Sequence, residues 1–247
     1  MSEIKRINQF ENPDHINPFL THWVGRKKSE EESFAILKTI LENSELKFSA
    51  CPISFPSSTY TVTQEMICFT DTPIRQSKDT CIRYGYFGMS FNKAKMIEHG
   101  ANPVLYLTDN RSVHMEFELM NRYSKNEDQL IHSWITGIMQ PFDTKKFAKD
   151  NHAEFYEREW RIVRKLPAQR NNVARKYQGE FNEHPFMGEL RRQQNSQNIN
   201  DETFFLKFNP AILENVIVPE SYESEVLRLM ETLNLNCEVL IIQKGAI

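Results

Sequence analysis

Short strand-like runs closed by turn residues outnumber the helical stretches of this chain, and the two do not alternate regularly. This constrains the fold most, because a doubly wound parallel sheet needs a helical crossover between successive strands. Strand composition is read at 19–24, 65–70, 83–91, 103–107, 154–166, 204–208, 215–218 and 237–243. Helical spacing is read over 30–43, where Ser29 caps an acidic first turn, and over 93–99 and 221–233. Two more helices, broken near Asn126, are read between Ser112 and Met139, and the prolines and serines over 51–64 read as a loop. The expectation is an α+β fold around a mainly antiparallel sheet.

A chain of 247 residues buries a core without disulfides or metal, and 8 glycines against 17 phenylalanines exclude low-complexity and collagen-like classes. The polar stretch 168–202 reads as an insertion within one domain spanning 1–247, because strands resume after it. No apolar run approaches the ~20 residues of a membrane helix, and Met1 to His15 holds no apolar leader core, so a cytoplasmic protein without a membrane partner is expected. Cys51, Cys68, Cys81 and Cys237 form no C-x-x-C pair, which leaves reduced thiols as the expectation. A net charge of −3 argues against a surface that is wholly a nucleic-acid footprint but leaves room for a local basic patch. Glycine-rich dinucleotide and P-loop sequences do not occur.

The stretch Phe155-Tyr156-Glu157-Arg158-Glu159-Trp160-Arg161-Ile162 is the most informative. Strand alternation turns Trp160 and Ile162 one way and Glu157, Glu159 and Arg161 the other. The acidic face reads either as a solvated, cross-charged strand or as an acid/base site whose arginine keeps a carboxylate ionised. His22 reads as a structural histidine or a hydrogen-bonding anchor; Tyr84 and Tyr86 read as core aromatics or as platforms for a planar ring. A metal edge at His114, Glu116 and Glu118 has little support. In the insertion, Arg170, Arg175, Arg191 and Arg192 with interleaved aromatics suit either a solvated loop or phosphate contacts.

Several stretches together resemble abortive-infection proteins of the AbiGi type. They are Thr21-His22-Trp23, Cys68-Phe69-Thr70-Asp71-Thr72-Pro73, Tyr84-Gly85-Tyr86-Phe87-Gly88-Met89-Ser90-Phe91-Asn92-Lys93, Asn102-Pro103-Val104-Leu105-Tyr106 and Glu157-Arg158-Glu159-Trp160-Arg161. Such proteins look distantly similar to the ADP-ribosyltransferase fold and its DarT-type toxins. The resemblance implies a split β-sandwich core with flanking helices and NAD in the cleft as substrate, with no metal. It implies Glu159 and Glu157 as catalytic groups, with His22, Arg26, Thr70, Tyr84, Tyr86 and Arg161 around NAD. The expected activity is a phage-defence toxin that transfers ADP-ribose to a macromolecule, RNA before DNA or protein. Arg170, Arg175, Arg191 and Arg192 would then hold the acceptor. The family label also implies the alternative, a non-catalytic antitoxin that binds a partner, and NAD hydrolysis without transfer is a third.

Overall fold

A computed structural model describes residues 4–7, 17–54, 61–108, 135–142, 158–164, 190–194 and 202–243. In chain order the strands are β1 (Ile4–Ile7), β2 (Phe19–Val24), β3 (Glu45–Lys47), β4 (Ser49–Ser54), β5 (Thr61–Thr70), β6 (Phe87–Asn92), β7 (Asn102–Pro103), β8 (Leu105–Thr108), β9 (Met139–Phe142), β10 (Glu159–Val163), β11 (Leu190–Gln194), β12 (Glu202–Lys207), β13 (Leu213–Pro219) and β14 (Glu238–Ile242). The helices are α1 (Glu30–Asn43), α2 (Lys78–Tyr84), α3 (Lys93–Glu98) and α4 (Glu223–Thr232).

The main sheet runs β1-β14-β13-β6-β2-β5-β10-β7, with β4 paired to β5; β11-β12-β3 and β8-β9 form two smaller sheets. The α+β expectation holds, but the main sheet is mixed: β14 lies parallel to both β13 and β1. A helix follows β13 and returns the chain to a parallel neighbour, and that local crossover breaks the antiparallel pattern.

Side-chain alternation gives the main sheet two faces. Leu20, Val24, Phe69, Phe87, Met89, Phe91, Ile162, Val216, Val218, Val239 and Ile241 pack on the first face with Leu37 and Leu41 of α1, Met96 of α3 and Val226 and Met230 of α4. Burying each such side chain contributes about 1.5–3 kcal/mol, so this face carries most of the hydrophobic stabilisation. On the second face Trp23, Ile217, Leu240 and Ile242 meet Cys81 of α2, while Met66 and Val163 meet Ile53 and Ile138.

Helix α1 starts where the sequence places it. The Ser29 hydroxyl accepts from Glu32 N at 3.2 Å, and Glu32 Oε2 accepts from Ser29 N at 2.9 Å, a reciprocal cap. Gly25 has φ of 99°, and a Cβ there would lie 2.1 Å from Ser33 Oγ, so the exit from β2 into α1 requires glycine.

Three local expectations change. Of residues 51–64, 51–54 belong to β4 and 61–64 to β5 rather than to a loop, and 55–60 lie outside the described residues; Pro52 is tolerated because, among the described strands, β4 pairs with β5 alone. The strand expected over 83–91 begins only at Phe87, since Tyr84 ends α2 and Gly85 at φ 96° turns the chain. Tyr84 and Tyr86 therefore do not ride on a strand. Within 168–202, residues 190–194 form β11 against β12, so that part is sheet and not loop. Of the two helices expected between 112 and 139, residues 112–134 lie outside the described ones, and Met139 opens β9.

Candidate functional site

Two cross-strand rows, one residue apart, organise the centre of the main sheet. In the first row Ser90 lies opposite Thr21, Thr21 opposite Thr70 and Thr70 opposite Glu159. These polar residues line the second face across β6, β2, β5 and β10. In the neighbouring row Met89 lies opposite His22, and Phe69 opposite Trp160, with the His22 and Phe69 rings 5.7 Å apart. That row belongs to the first face. A shift of one residue along a strand reverses the face, so His22 and Glu159 occupy opposite sides of the sheet.

Glu159 is held by Arg161, two residues on and on the same face. Arg161 Nε donates to Glu159 Oε1 at 2.8 Å and Nη2 to Oε2 at 2.9 Å, a bidentate pair. Nη1 donates to the carbonyls of Gly137 at 3.0 Å and Met139 at 2.9 Å, and Nη2 also reaches Gln140 Oε1 at 2.6 Å. All five guanidinium N–H groups are thus used. Burial of Arg161 disfavours its charged form, but hydrogen bonds and charge from Glu159 prevail and raise its pKa above the ordinary value. The arginine ties β10 to β9 and occupies both oxygens of the Glu159 carboxylate.

The rest of the row is satisfied within the protein. Thr21 and Ser90 hydroxyls share a 2.9 Å hydrogen bond, and Trp23 Nε1 donates to Thr70 Oγ1 at 3.0 Å. Tyr84 and Tyr86 pack beside Trp23 and Cys81, and the Arg26 guanidinium lies 5.4 Å over the Tyr84 ring. Thr70, Arg26 and the two tyrosines therefore stand on the Glu159 side of the sheet.

On the first face, His22 Nδ1 donates to the Cys68 carbonyl at 2.8 Å. Burial pushes the imidazole below its ordinary pKa, against the opposing effect of that hydrogen bond. Nearby, Asp71 Oδ2 accepts from Lys93 Nζ at 2.6 Å and from Trp160 Nε1 at 3.2 Å, and Lys93 lies 5.0 Å over the Trp160 ring. Asp71 Oδ1 and Asn17 Nδ2 are buried without a hydrogen-bond partner. Asp71, Lys93 and Trp160 each belong to a stretch that carried the resemblance, yet none was given a role. Asp71 itself opens the run Asp71-Thr72-Pro73, whose composition marks it as loop punctuation.

The basic residues divide. Arg191 and Arg192 sit on β11, opposite Phe205 and Phe204. Glu157, Arg170 and Arg175 lie outside the described residues, so the Glu157–Glu159 pairing read from the strand is not seen. Among the described residues no group of histidine, cysteine and acidic side chains could hold a metal ion, and no helix is long and apolar enough to cross a membrane.

Fold and site together define an α+β protein whose central carboxylate is closed by a buried arginine. The chain matches the family described as an abortive phage resistance protein AbiGi, antitoxin, over residues 59–219, and it belongs to that family. That family points to a role in abortive-infection phage defence and is labelled as antitoxin. No curated protein and no solved structure matches the chain.

Proposed function

We propose that the protein is the antitoxin member of a phage-defence pair and acts by binding a partner protein rather than by turning over a small molecule. The observation that carries this reading is the closed Glu159–Arg161 pair. Both carboxylate oxygens and all five guanidinium N–H groups are committed inside the fold. The bidentate arginine takes one acceptor position on each carboxylate oxygen and fixes the group against β9, which supports a structural role for the pair. His22, the other residue of the expected constellation, lies on the opposite face with its Nδ1 bound to a main-chain carbonyl. The family label agrees with this reading.

The test is co-expression in a bacterial host with a protein captured by its binding to this chain. Growth arrest by that protein, relieved when this chain is present, is the expected result. Arrest that continues unchanged would overturn the proposal.

A second reading, ADP-ribosyl transfer from NAD to a nucleic acid or a protein, keeps one supporting observation. Glu159 ends a row of hydroxyls with Arg26 and two tyrosines on its side of the sheet. Under this reading Arg161 releases one carboxylate oxygen, Glu159 binds a ribose hydroxyl, and its charge stabilises the oxocarbenium-like state as nicotinamide leaves. His22 has no place beside that ribose. Its function would be carried by the Thr21, Thr70 and Ser90 hydroxyls.

A further inference from the structure

The four cysteines are all free thiols, and they divide by place. Cys81 packs in the cluster around Trp23, and Cys237 in the core of the first face. Cys51 of β4 and Cys68 of β5 lie together on the second face, partly buried against Ile53, Met66, Ile138 and Val163. Strand pairing sets Cys51 opposite Gln64, and Cys68 lies further along β5, opposite Arg161. The two thiols are therefore not ladder partners. They meet diagonally across the face and share a side-chain hydrogen bond.

The contact is asymmetric. Hydrogen bonding from Cys68 holds the Cys51 thiol down at about 7 against burial, with Arg161 and Arg26 favouring its thiolate and Glu159 opposing it. The same hydrogen bond and burial push Cys68 well above an ordinary thiol. At neutral pH one member of the pair is thus largely a thiolate and the other its protonated donor. Burial alone, as at Cys81 and Cys237, raises a thiol to about 12 and leaves it inert. A partly exposed thiolate beside a second thiol is the arrangement of an oxidant-reactive site, in which the first sulfur is oxidised and the second resolves it.

We propose that Cys51 and Cys68 form a dithiol–disulfide site, in which Cys51 reacts with a peroxide and Cys68 resolves the product. The Cys51 thiolate attacks hydrogen peroxide: an S–O bond forms, the O–O bond breaks, and the departing hydroxide takes up the proton that Cys51 had lost. The Cys68 sulfur then attacks the sulfenic sulfur. The S–S bond forms, the S–O bond breaks, and the second hydroxide takes the Cys68 proton. Two thiols lose two electrons in all, and the peroxide becomes two water molecules. Closing the bond brings the sulfurs from hydrogen-bond contact to ~2.05 Å. Strand β4 is the member free to follow, since among the described strands it pairs with β5 alone. A small thiol reopens the disulfide by exchange. The site is independent of the antitoxin reading.

Brief treatment of the reduced full chain with hydrogen peroxide at neutral pH tests the site. Remaining thiols are then blocked with iodoacetamide and the protein is digested without reductant. Mass spectrometry should find the Cys51 and Cys68 peptides joined with loss of two hydrogens, and separate again after dithiothreitol. Cys81 and Cys237 should carry the blocking group. In Cys68→Ser, Cys51 should stop at the sulfenic acid, trapped by dimedone. In Cys51→Ser, oxidation of Cys68 should be about tenfold slower. Blocked, unlinked Cys51 and Cys68 in the peroxide-treated wild type would overturn the proposal. A link from either to Cys81 or Cys237 would do the same, as would a Cys51 that proceeds to sulfinic acid unlinked. The wild type alone decides between these outcomes, whether or not the serine variants fold.

Discussion

The two cross-strand rows at the centre of the sheet differ by one residue in sequence and by almost everything in chemistry. Ser90, Thr21, Thr70 and Glu159 carry hydroxyls and a carboxylate across the second face, whereas Met89, His22, Phe69 and Trp160 carry sulfur and aromatic rings across the first. In the polar row each described group finds a partner within the protein, and Glu159 ends in a bidentate pair. In the aromatic row the polar atoms point to the edges: His22 to a carbonyl, Trp160 to Asp71. The difference teaches that residues brought close by pairing are not thereby brought to one site. A constellation has to be read by face as well as by register.

Removing the charge that closes the polar row should have the largest effect. Arg161→Met leaves the Glu159 carboxylate and three further acceptors without their donors, and breaking such a buried pair costs about 3–5 kcal/mol. Urea unfolding should show that loss, and a change below about 1 kcal/mol would mean the pair is a solvated surface contact. A double-mutant cycle with Glu159→Gln should return a favourable coupling energy.

On the aromatic row the corresponding break is smaller. Trp160→Phe removes the indole N–H from Asp71, whose other oxygen is already unpartnered. A hydrogen bond to a charged group contributes about 1.5–3 kcal/mol, and equilibrium unfolding should register a loss in that range. The polar-row equivalent, Trp23→Phe, removes a bond to the neutral Thr70 hydroxyl and should cost about 1 kcal/mol. Equal losses would erase the distinction between the rows.

His22 gives the comparison a pH signature. Its pKa is lowered in the folded state from 6.5 by burial, so the unfolded chain takes up a proton first as pH falls. Stability is fully present above pH 6.5 and declines below it, until the folded imidazole also titrates. Denaturation midpoints between neutral and mildly acidic pH should fall in the wild type more steeply than in His22→Gln. Matching slopes would place His22 in solvent.

The smallest effect is kinetic. Hydrogen bonding from Cys68 lowers the Cys51 thiol to about 7, while burial pushes Cys81 and Cys237 up to about 12. Iodoacetamide at neutral pH should therefore modify Cys51 ahead of the other two, with mass spectrometry reading the order.

Much of the strand content was legible because alternation within one strand is a local property. Trp160 and Ile162 inward, with Glu159 and Arg161 together on the other side, follow from period two alone. The separation of His22 from Glu159 was not legible, because the pairing of β2 with β5 brings Thr21, not His22, opposite Thr70. Nothing in either strand's own sequence fixes that register. The grip of Arg161 on β9 was hidden for the same reason, since Gly137 and Met139 contribute carbonyls, which carry no side-chain signal. Tyr84 and Tyr86 were misplaced because Gly85 ends a helix with the same composition that opens a strand.

We propose that the Glu159–Arg161 pair fixes β10 against β9 of the neighbouring small sheet and does not turn over NAD. Incubating the purified full chain with labelled NAD and cell extract, and following label into RNA, DNA, protein and free ADP-ribose, tests this directly. The account predicts no transfer and no hydrolysis above a buffer control. Label that enters any acceptor with the wild type, and is lost in a folded Glu159→Gln variant, would contradict it.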